Sequence, residues 1–414
     1  MRNINYFCNV KRLRNIITTT AVCLIALICS EIQAANSATP GNAERDSIKI
    51  SLLTCSPGTE VYSLYGHTSI RLTDYGRGVD VAVNYGMFSF GKPFFVLRFI
   101  FGITDYEMGI IPFEYFCREY ESEGRSIYQQ ELNLTADEKL AIRDALAVNY
   151  MPQNRAYRYN YFYDNCTTRA RDILINNIKG KTEVADAKEE YPSFRELTHM
   201  FNKDYPWARF GNDILLGVKS DKKTDLKEHQ FLPSLLQEDF SNTIIKNADG
   251  TERPLVLSEG YVIKEGPKAI GKGFPLRPSS CAWLIFAVTV AVSLLEARKG
   301  YRLWPFDTFM MIFYGCMGVI VFMMFFSQHP TTSTNLQVLL FNPLPLFFAY
   351  RTAKRAMAGR PDPFWKYAII FTALFFIGGF FQDYAEGTYV LALSLLVRSA
   401  WNIFRQHKLI STKG

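Results

Sequence analysis

The chain has 414 residues, 48% of them hydrophobic, which is enough for one globular domain of ordinary size and a second region. A formal net charge of +7 could suggest a nucleic-acid-binding protein, but basic clusters beside apolar segments explain it better and no recognition motif accompanies it, so we do not expect that function. Apolar runs are concentrated in residues 281–404, whereas residues 36–280 have the composition of a soluble domain.

The N-terminus has the pattern of a secretory signal peptide. Residues 1–35 contain a basic start, an apolar stretch at 16–29 and a small-residue end. We therefore expect this segment to act as a signal peptide, or to remain as an N-terminal anchor, and residues 36–280 to be exported. Cys29 is a poor candidate for lipid attachment, because Ile28 stands where a lipoprotein signal has a small residue.

The exported segment is predicted to be α+β, with strands early and helices later. In chain order we expect strands at 48–53, 66–73 and 79–86, an aromatic segment at 94–116, a helix at 135–150, a short helix within 190–201 and a strand pair within 253–266. The helix at 135–150 begins with a capping box, because Thr135 is followed three residues later by Glu138. The aromatic segment is either part of the core or a surface that meets lipid.

One cysteine of the exported segment stands at a predicted helix start. In YDNCTTRARD, Cys166 follows Asp164 and Asn165, either of which is a suitable N-cap. Ala170, Ile173 and Leu174 share its helical face, which we expect to pack on the sheet. A helix N-terminus stabilises negative charge, so this position lowers the pKa of a thiol and favours a reactive thiolate.

A disulfide is the competing explanation for this cysteine. Cys55, Cys117 and Cys166 are the three cysteines expected outside the membrane, so at most one bridge forms and one thiol stays free. An exported protein that keeps a free thiol usually needs its reactivity. The helix start favours Cys166 as the free thiol, and Cys55 is the main rival.

A nucleophilic thiol needs a base, and three histidines are candidates. His67 is favoured, because a predicted strand carries it into the sheet and Gly66 permits close approach of another backbone. His229 lies in a charged run and is expected to be solvated, whereas His199 lies on an amphipathic helix. Asn84, on the next strand, is a candidate for orienting the imidazole, although it could equally cap the strand end.

Five later segments are candidates for membrane spans. They are residues 281–296, 306–326, 336–350, 364–382 and 388–403. The loops at 296–302 and 351–360 and the tail at 405–414 are basic, whereas 327–335 and 382–388 contain no Lys or Arg. An excess of Lys and Arg marks the cytoplasmic side, so we expect a cytoplasmic tail and an outward-facing exported domain.

Three polar residues lie near span ends or inside a span: His329, Gln382 and Arg398. Such residues are costly in lipid and often functional. Snorkelling of a long side chain accounts equally well for Arg398.

Several sequence segments resemble known families. A histidine on a strand, a polar residue on the next strand and a cysteine at a helix start are similar to the circularly permuted papain-like (NlpC/P60-like) thiol enzymes, which include the lecithin:retinol acyltransferase group. LTCSPGTEVYSLYGHTSIRL, NYGMF, YDNCTTRARD, PWARFGNDILLG and the apolar tail resemble the lipoprotein N-acyltransferases of Bacteroidota. This resemblance implies a permuted papain-like exported domain at 36–280, followed by an all-α five-helix transmembrane domain at 281–404.

The resemblance also implies an activity. It implies a bacterial inner-membrane enzyme, with its catalytic domain in the periplasm, that transfers an acyl chain from a phospholipid to the N-terminal amine of a diacylglyceryl-cysteine lipoprotein. The catalytic cysteine and histidine of that family fall on Cys166 and His67, and the wider permuted group suggests Asn84 as the third residue. Four aromatic residues are expected either to line the acyl chain or to be core or membrane contacts: Phe94, Phe95, Phe99 and Phe101.

Two other functions remain open at this point. A membrane-tethered cell-wall cysteine peptidase would use the same thiol, but it would have no need for five spans. A non-catalytic membrane scaffold or chaperone would have Cys166 bridged to Cys55 or Cys117. No metal-ligand spacing and no phosphate-binding glycine loop is present in the sequence, so we expect no metal and no cofactor.

Overall fold

The computed structural model describes residues 47–87, 93–267 and 273–411. The predicted signal peptide and Cys29 therefore lie outside the described residues. The described part consists of a sheet-rich region up to residue 267 and a helical region from residue 273. This division confirms the predicted α+β class, whereas the permuted papain-like connectivity stays a prediction.

Twelve strands and eight α-helices make up the described part of the sheet-rich region. In chain order they are β1 (Ile48–Cys55), β2 (His67–Asp74), β3 (Val79–Met87), α1 (Phe95–Ile100), β4 (Asp105–Pro112), α2 (Phe113–Ser122), β5 (Ile127–Leu132), α3 (Ala136–Tyr150), β6 (Ala156–Arg158), α4 (Cys166–Ile175), β7 (Lys181–Val184), β8 (Tyr191–Ser193), α5 (Phe194–Phe201), α6 (Pro206–Leu215), β9 (Lys223–Thr224), α7 (Leu226–His229), α8 (Pro233–Ser241), β10 (Thr243–Lys246), β11 (Glu252–Pro254) and β12 (Val256–Ile263).

Seven of these strands form one antiparallel sheet, in the order β12-β5-β1-β2-β3-β4-β6. Strand β1 is hydrogen-bonded on both sides and covered on both faces, so every residue of IKISLLTC except Lys49 is buried. Double coverage explains why this strand is almost continuously apolar in sequence. The three strands predicted before residue 87 are confirmed as β1, β2 and β3.

Helices cover both faces of the sheet. Helices α3, α4 and α8 pack on one face, where residues such as Ile50, Ile70 and Leu174 form the main core. Helix α2 packs on the other face, with Phe116 against Cys55. The predicted capping box of α3 is confirmed: the side chain of Thr135 accepts from the Glu138 amide, and the Glu138 side chain accepts from the Thr135 amide.

Two expectations for the sheet-rich region are wrong. The late strand pair consists of two strands that do not pair with each other, because β11 pairs with β10 whereas β12 pairs with β5. His229, expected to be solvated, is 9% exposed and its ring lies 4.3 Å from that of Tyr191. A charged run predicts solvent exposure on average, but one residue of α7 is turned inward against β8.

The helical region contains five α-helices among its described residues. They are α9 (Pro278–Lys299), α10 (Trp304–Met323), α11 (Leu344–Met357), α12 (Phe364–Gly378) and α13 (Thr388–Ser411). Two segments are long and apolar enough to cross a membrane: Pro278–Lys299 and Trp304–Phe326. Helix α12 is apolar but shorter. The predicted count of five spans therefore stays a prediction.

The span predicted at 336–350 is wrong as a single helix. Residues Leu336–Leu339 form a 3-10 turn, and α11 begins only at Leu344. Pro343 and Pro345 explain the break, because proline has no amide hydrogen and is tolerated only at the start of a helix. Helix α11 rises about 21 Å by α-helical geometry, which is less than the roughly 30 Å of a bilayer core.

Arg398 does not snorkel. It is fully buried and forms ion pairs with Glu296 of α9 (2.8 Å) and Asp307 of α10 (2.6 Å). A charge inside an apolar helix bundle is stable only when it is paired. Arg398, on α13, therefore joins this helix to α9 and α10 near the basic loop at 296–302.

The sheet-rich region is hydrogen-bonded to loops between the membrane helices. Three side-chain amides of those loops donate to main-chain carbonyl oxygens at the end of α6: Asn335 to Ile214 (2.7 Å), Gln337 to Asp213 (2.7 Å) and Gln382 to Leu216 (3.0 Å). Two of the three amide side chains are fully buried, and that of Gln382 is 2% exposed. The predicted polar residue Gln382 thus contributes to the contact between the two regions.

Candidate active site

Helix α4 starts at a fully satisfied N-cap. The Asn165 side-chain oxygen accepts from two amides of the first turn, and its side-chain nitrogen donates to two carbonyl oxygens: Thr167 N (2.8 Å), Thr168 N (2.9 Å), Tyr161 O (2.9 Å) and Phe231 O (3.0 Å). Cys166 is the first residue of α4. Its own amide has no intrahelical acceptor, because the first four amides of a helix have none.

Helix α4 is held against β2 and the main core. Ala170 and Leu174 are fully buried and Ile173 is half-buried against the same core, which confirms the face predicted to pack on the sheet. The Thr167 hydroxyl lies 3.0 Å from the Thr68 hydroxyl, so the first turn of α4 is bonded to the second residue of β2. Cys166 is thereby brought next to His67.

His67 is the first residue of β2, and Asn84 lies on β3. The His67 Nε2–H donates to Asn84 Oδ1 at 3.0 Å, which brings together the pair expected from the sequence. Gly66 has φ +79°, and a Cβ on it would lie 2.6 Å from the Cys55 carbonyl oxygen. Only glycine fits there, so the predicted close backbone approach is confirmed.

The Cys166 thiol and the His67 imidazole lie close enough for each to shift the pKa of the other. Burial raises the pKa of Cys166, but the His67 charge, the His67 hydrogen bond and the Thr68 amide outweigh it and lower that pKa from 9.0 to about 7. Burial lowers the pKa of His67, but the Cys166 charge and the hydrogen bonds from Cys166 and Asn84 raise it overall. Each group therefore favours the charged form of the other, which is the electrostatics of a thiolate–imidazolium pair.

The rival thiols lie in different environments. Cys55, Cys117 and Cys166 are all free, so the bridge required by the non-catalytic alternative is not formed. Burial raises the pKa of Cys55 to about 12, and burial also raises the pKa of Cys117. Since the thiolate is the nucleophile, Cys166 is the reactive candidate of the three.

The other histidines of the described sheet-rich region have different partners. His199 donates from Nε2 to Asp213 (2.8 Å), and its Nδ1 accepts from Arg209 (3.0 Å). Burial lowers the pKa of His229 to about 4. Within residues 47–87, 93–267 and 273–411, no group of three His, Cys, Asp or Glu side chains is arranged to hold a metal ion.

A line of aromatic rings runs from the surroundings of Cys166 toward a membrane loop. A Cβ built on Gly86 would lie 3.9 Å from Cys166 Cβ and 3.7 Å from the Tyr106 ring. Tyr106 stacks on Tyr159 with ring centroids 4.2 Å apart, and Tyr159 stacks on Phe99 at 6.4 Å. These rings form a continuous series of contacts from the surroundings of the thiol to α1.

Helix α1 is attached to the loop that follows α10. The Gln328 amide donates to the Phe101 carbonyl oxygen (2.9 Å), and the His329 Nε2–H donates to the Phe99 carbonyl oxygen (3.2 Å). Gly102 has φ +65°, and a Cβ on it would lie 3.2 Å from Gln328 Cβ. His329, one of the polar residues singled out by the sequence, therefore binds the aromatic segment.

The four phenylalanines predicted to line an acyl chain differ in their positions. Phe99 is 36% exposed and continues the aromatic line, and Phe101 is half-buried beside the membrane loop. Phe94 is 76% exposed and has φ +56°. The Phe95 side chain lies outside the described residues. Their role in binding an acyl chain stays a prediction.

Several residues near the thiol were missed by the sequence analysis. The Thr68 main-chain amide helps to lower the pKa of the Cys166 thiol, and the Thr167 hydroxyl lies 3.8 Å from the Cys166 sulfur. Tyr157 and Tyr159 also lie near Cys166. A signal for these rings was present, because YRYNYFYDNC places a tyrosine at every second position before the cysteine.

Two family models match this chain. The Lnb N-terminal periplasmic domain matches residues 37–200, and the Lnb transmembrane domain matches residues 270–409. No curated protein and no solved structure gives a significant match. The two matched segments indicate a membrane protein whose N-terminal part is periplasmic.

Proposed function

Because the chain belongs to the Lnb family, the lipoprotein N-acyltransferases of Bacteroidota, we propose that it acylates lipoproteins through a thioester on Cys166. The acyl donor is a phospholipid, and the acceptor is the N-terminal amine of a diacylglyceryl-cysteine lipoprotein. The enzyme lies in the inner membrane with Cys166 on the periplasmic side. The observation that carries this proposal is the placement of Cys166 at the start of α4, which a Thr167–Thr68 bond holds against β2, beside the Asn84-bonded His67. This placement agrees with a thiol pKa lowered to about 7.

In the first half-reaction the Cys166 sulfur attacks an ester carbonyl carbon of the phospholipid. Asn84 accepts a hydrogen bond from His67 Nε2, which leaves Nδ1 to hold the thiol proton. The carbonyl electrons move to oxygen, and the Cys166 amide at the start of α4 stabilises that oxyanion. The intermediate then expels the glycerol oxygen, which takes the proton from His67 and leaves as lysophospholipid.

In the second half-reaction the lipoprotein amine attacks the thioester. His67 accepts a proton from the attacking nitrogen, the carbon–sulfur bond breaks, and Cys166 returns to the thiolate. The product is an amide, which is more stable than the thioester it replaces. His67 therefore acts as general acid in one half-reaction and as general base in the other.

Both substrates are lipids, so the site must be held at the bilayer surface. The amide contacts at the end of α6 and the bonds of α1 to Gln328 and His329 support such a position. The line of Tyr106, Tyr159 and Phe99 supports an apolar path for an acyl chain. A cell-wall peptidase would need a groove for a polar peptide, and this aromatic path does not favour that alternative.

The proposal is tested with the full-length protein in detergent and a phospholipid of one defined acyl composition. We expect the Cys166 peptide to gain the mass of one acyl chain in a bond that hydroxylamine cleaves. Addition of a diacylglyceryl-cysteine peptide should move that mass to the peptide in a hydroxylamine-stable bond.

Cys166→Ser should abolish both products, whereas Cys55→Ala is the matched control and should retain both. Absence of acyl mass on native Cys166, while the acceptor peptide is still acylated, would overturn the thioester route. Cleavage of muropeptides without acylation of the peptide would favour the peptidase.

A further inference from the structure

Tyr157 has a buried hydroxyl with no hydrogen-bonding partner in the described part of the chain. The residue lies on β6 directly opposite Tyr106 of β4, and it is 6% exposed. Leaving a buried hydroxyl unpaired costs about 1–3 kcal/mol. Native proteins keep few such groups, and a role in catalysis is one established reason to keep one.

The Tyr157 hydroxyl is close to the nucleophile. A Cβ on Gly86 would lie 3.8 Å from the Tyr157 hydroxyl oxygen and 3.9 Å from Cys166 Cβ. Gly86 therefore lies beside both the phenol and the cysteine, and its φ of +91° is one that glycine adopts without strain. A side chain at this position would contact both Tyr157 and Cys166.

The phenol is fixed in place and remains a hydrogen-bond donor. The Arg169 guanidinium carbon lies 3.6 Å from the centre of the Tyr157 ring, and Arg169 is itself held by Asp164 (2.8 Å). Burial and the Cys166 charge raise the pKa of Tyr157 well above its ordinary value, which outweighs the opposite effect of Arg169. The hydroxyl thus keeps its proton and can donate it to a negatively charged oxygen.

We propose that the Tyr157 hydroxyl donates a hydrogen bond to the carbonyl oxygen of the acyl group on Cys166, and so forms the oxyanion site together with the Cys166 amide. This inference rests on the proposed acyl-transfer function. Tyr157 exchanges no proton in either half-reaction; it stabilises the charge on oxygen in both tetrahedral intermediates. Removing one donor from an oxyanion site typically slows the chemical step about 10²- to 10³-fold.

Tyr157→Phe tests the role, with Tyr85→Phe as the matched control. Tyr85 is 1% exposed and its ring packs edge-on against Tyr157 at 6.4 Å, but its hydroxyl donates to Asn149 (2.8 Å) away from the thiol. We expect Tyr157→Phe to slow acylation of Cys166 by phospholipid about 100-fold. We expect Tyr85→Phe to acylate at the native rate.

Two further measurements separate an oxyanion donor from a structural residue. Alkylation of Cys166 by iodoacetamide passes through no oxyanion, so Tyr157→Phe should leave its rate unchanged. In the acyl-enzyme made with a ¹³C=O-labelled acyl chain, the thioester carbonyl band should move to higher wavenumber in Tyr157→Phe, because the carbonyl loses a hydrogen bond. Thermal unfolding should be no easier, since only an unpaired hydroxyl is removed.

The outcomes distinguish this inference from the proposed function. If native protein acylates Cys166 and Tyr157→Phe does so at the same rate with the same carbonyl band, the oxyanion role is wrong and the thioester mechanism stands. If Tyr157→Phe also loses iodoacetamide reactivity, Tyr157 positions the nucleophile instead, and the oxyanion role is again refuted. If native Cys166 forms no thioester, the proposed function fails first.

Discussion

Replacing His67 with alanine tests whether that imidazole is what makes the Cys166 thiol reactive. In the native protein the pKa of Cys166 is lowered from 9.0 to about 7, although burial alone would raise it. Without His67 the two largest lowering effects are lost, so the pKa should return to 9.0 or above. At pH 7 about half of the native thiol is ionised, compared with about one in a hundred at a pKa of 9.0, so the thiolate fraction falls about 50-fold.

The measurement is the rate of iodoacetamide alkylation of full-length protein from pH 5 to pH 10, followed by mass spectrometry on the peptide that contains Cys166. Because the pKa is depressed, the thiolate is present above about pH 7 and is lost as the pH falls through that value. The native midpoint should lie near 7. The His67→Ala midpoint should lie at or above the ordinary thiol value of 9.0.

His67→Gln is the matched control, because glutamine keeps a hydrogen-bond donor and carries no charge. Its midpoint should fall between those of the native protein and His67→Ala. The difference between the His67→Gln and native midpoints measures how much of the lowering of the Cys166 pKa comes from the charge on His67. A His67→Ala midpoint that stays near 7 would refute the reasoning. The thiolate would then be stabilised by the helix terminus and the Thr68 amide alone.

Two further predictions concern the elements that position the site. Asn165→Ala removes the cap of α4 and leaves two buried carbonyl oxygens without a donor, so the free energy of unfolding in chemical denaturation should fall by about 2–4 kcal/mol. Asn176→Ala, at the exposed far end of α4, should change the free energy of unfolding by less than about 0.5 kcal/mol. Equal effects of the two substitutions would contradict the role of Asn165 as the cap. Gly102→Ala should reduce acylation of Cys166 by phospholipid while leaving iodoacetamide alkylation unchanged, because a Cβ there would lie 3.2 Å from Gln328 and disturb the contact between α1 and the membrane loop. Gly250→Ala is the control, since Gly250 has a similar φ of +84° with open space around it; a loss of acylation in both variants would point to backbone strain alone.

The sequence predicted the features that depend on neighbours a few residues away. The capping box of α3 is set by Thr135 and Glu138, and the start of α4 by Asn165 and Cys166, so both are readable from local pattern. The candidate pairing of His67 with Asn84 followed from two consecutive strands. Such features need no knowledge of how distant segments meet.

The features that were wrong or missed depend on distant segments. His229 looks solvated in its charged run, but its burial is set by β8, almost forty residues earlier. The Thr68–Thr167 contact joins residues 99 positions apart, and no pattern in either segment predicts it. Pro343 marks the break in the sequence, but the apolar content of 336–350 alone favours a continuous span.

The contact between α6 and the membrane loops involves no net charge on either side. Asn335, Gln337 and Gln382 are neutral amides, and their acceptors are main-chain carbonyl oxygens. Such bonds neither titrate nor weaken when salt screens charges. Acidification below about pH 7 should therefore protonate the Cys166 thiolate while these three bonds between the two regions stay intact.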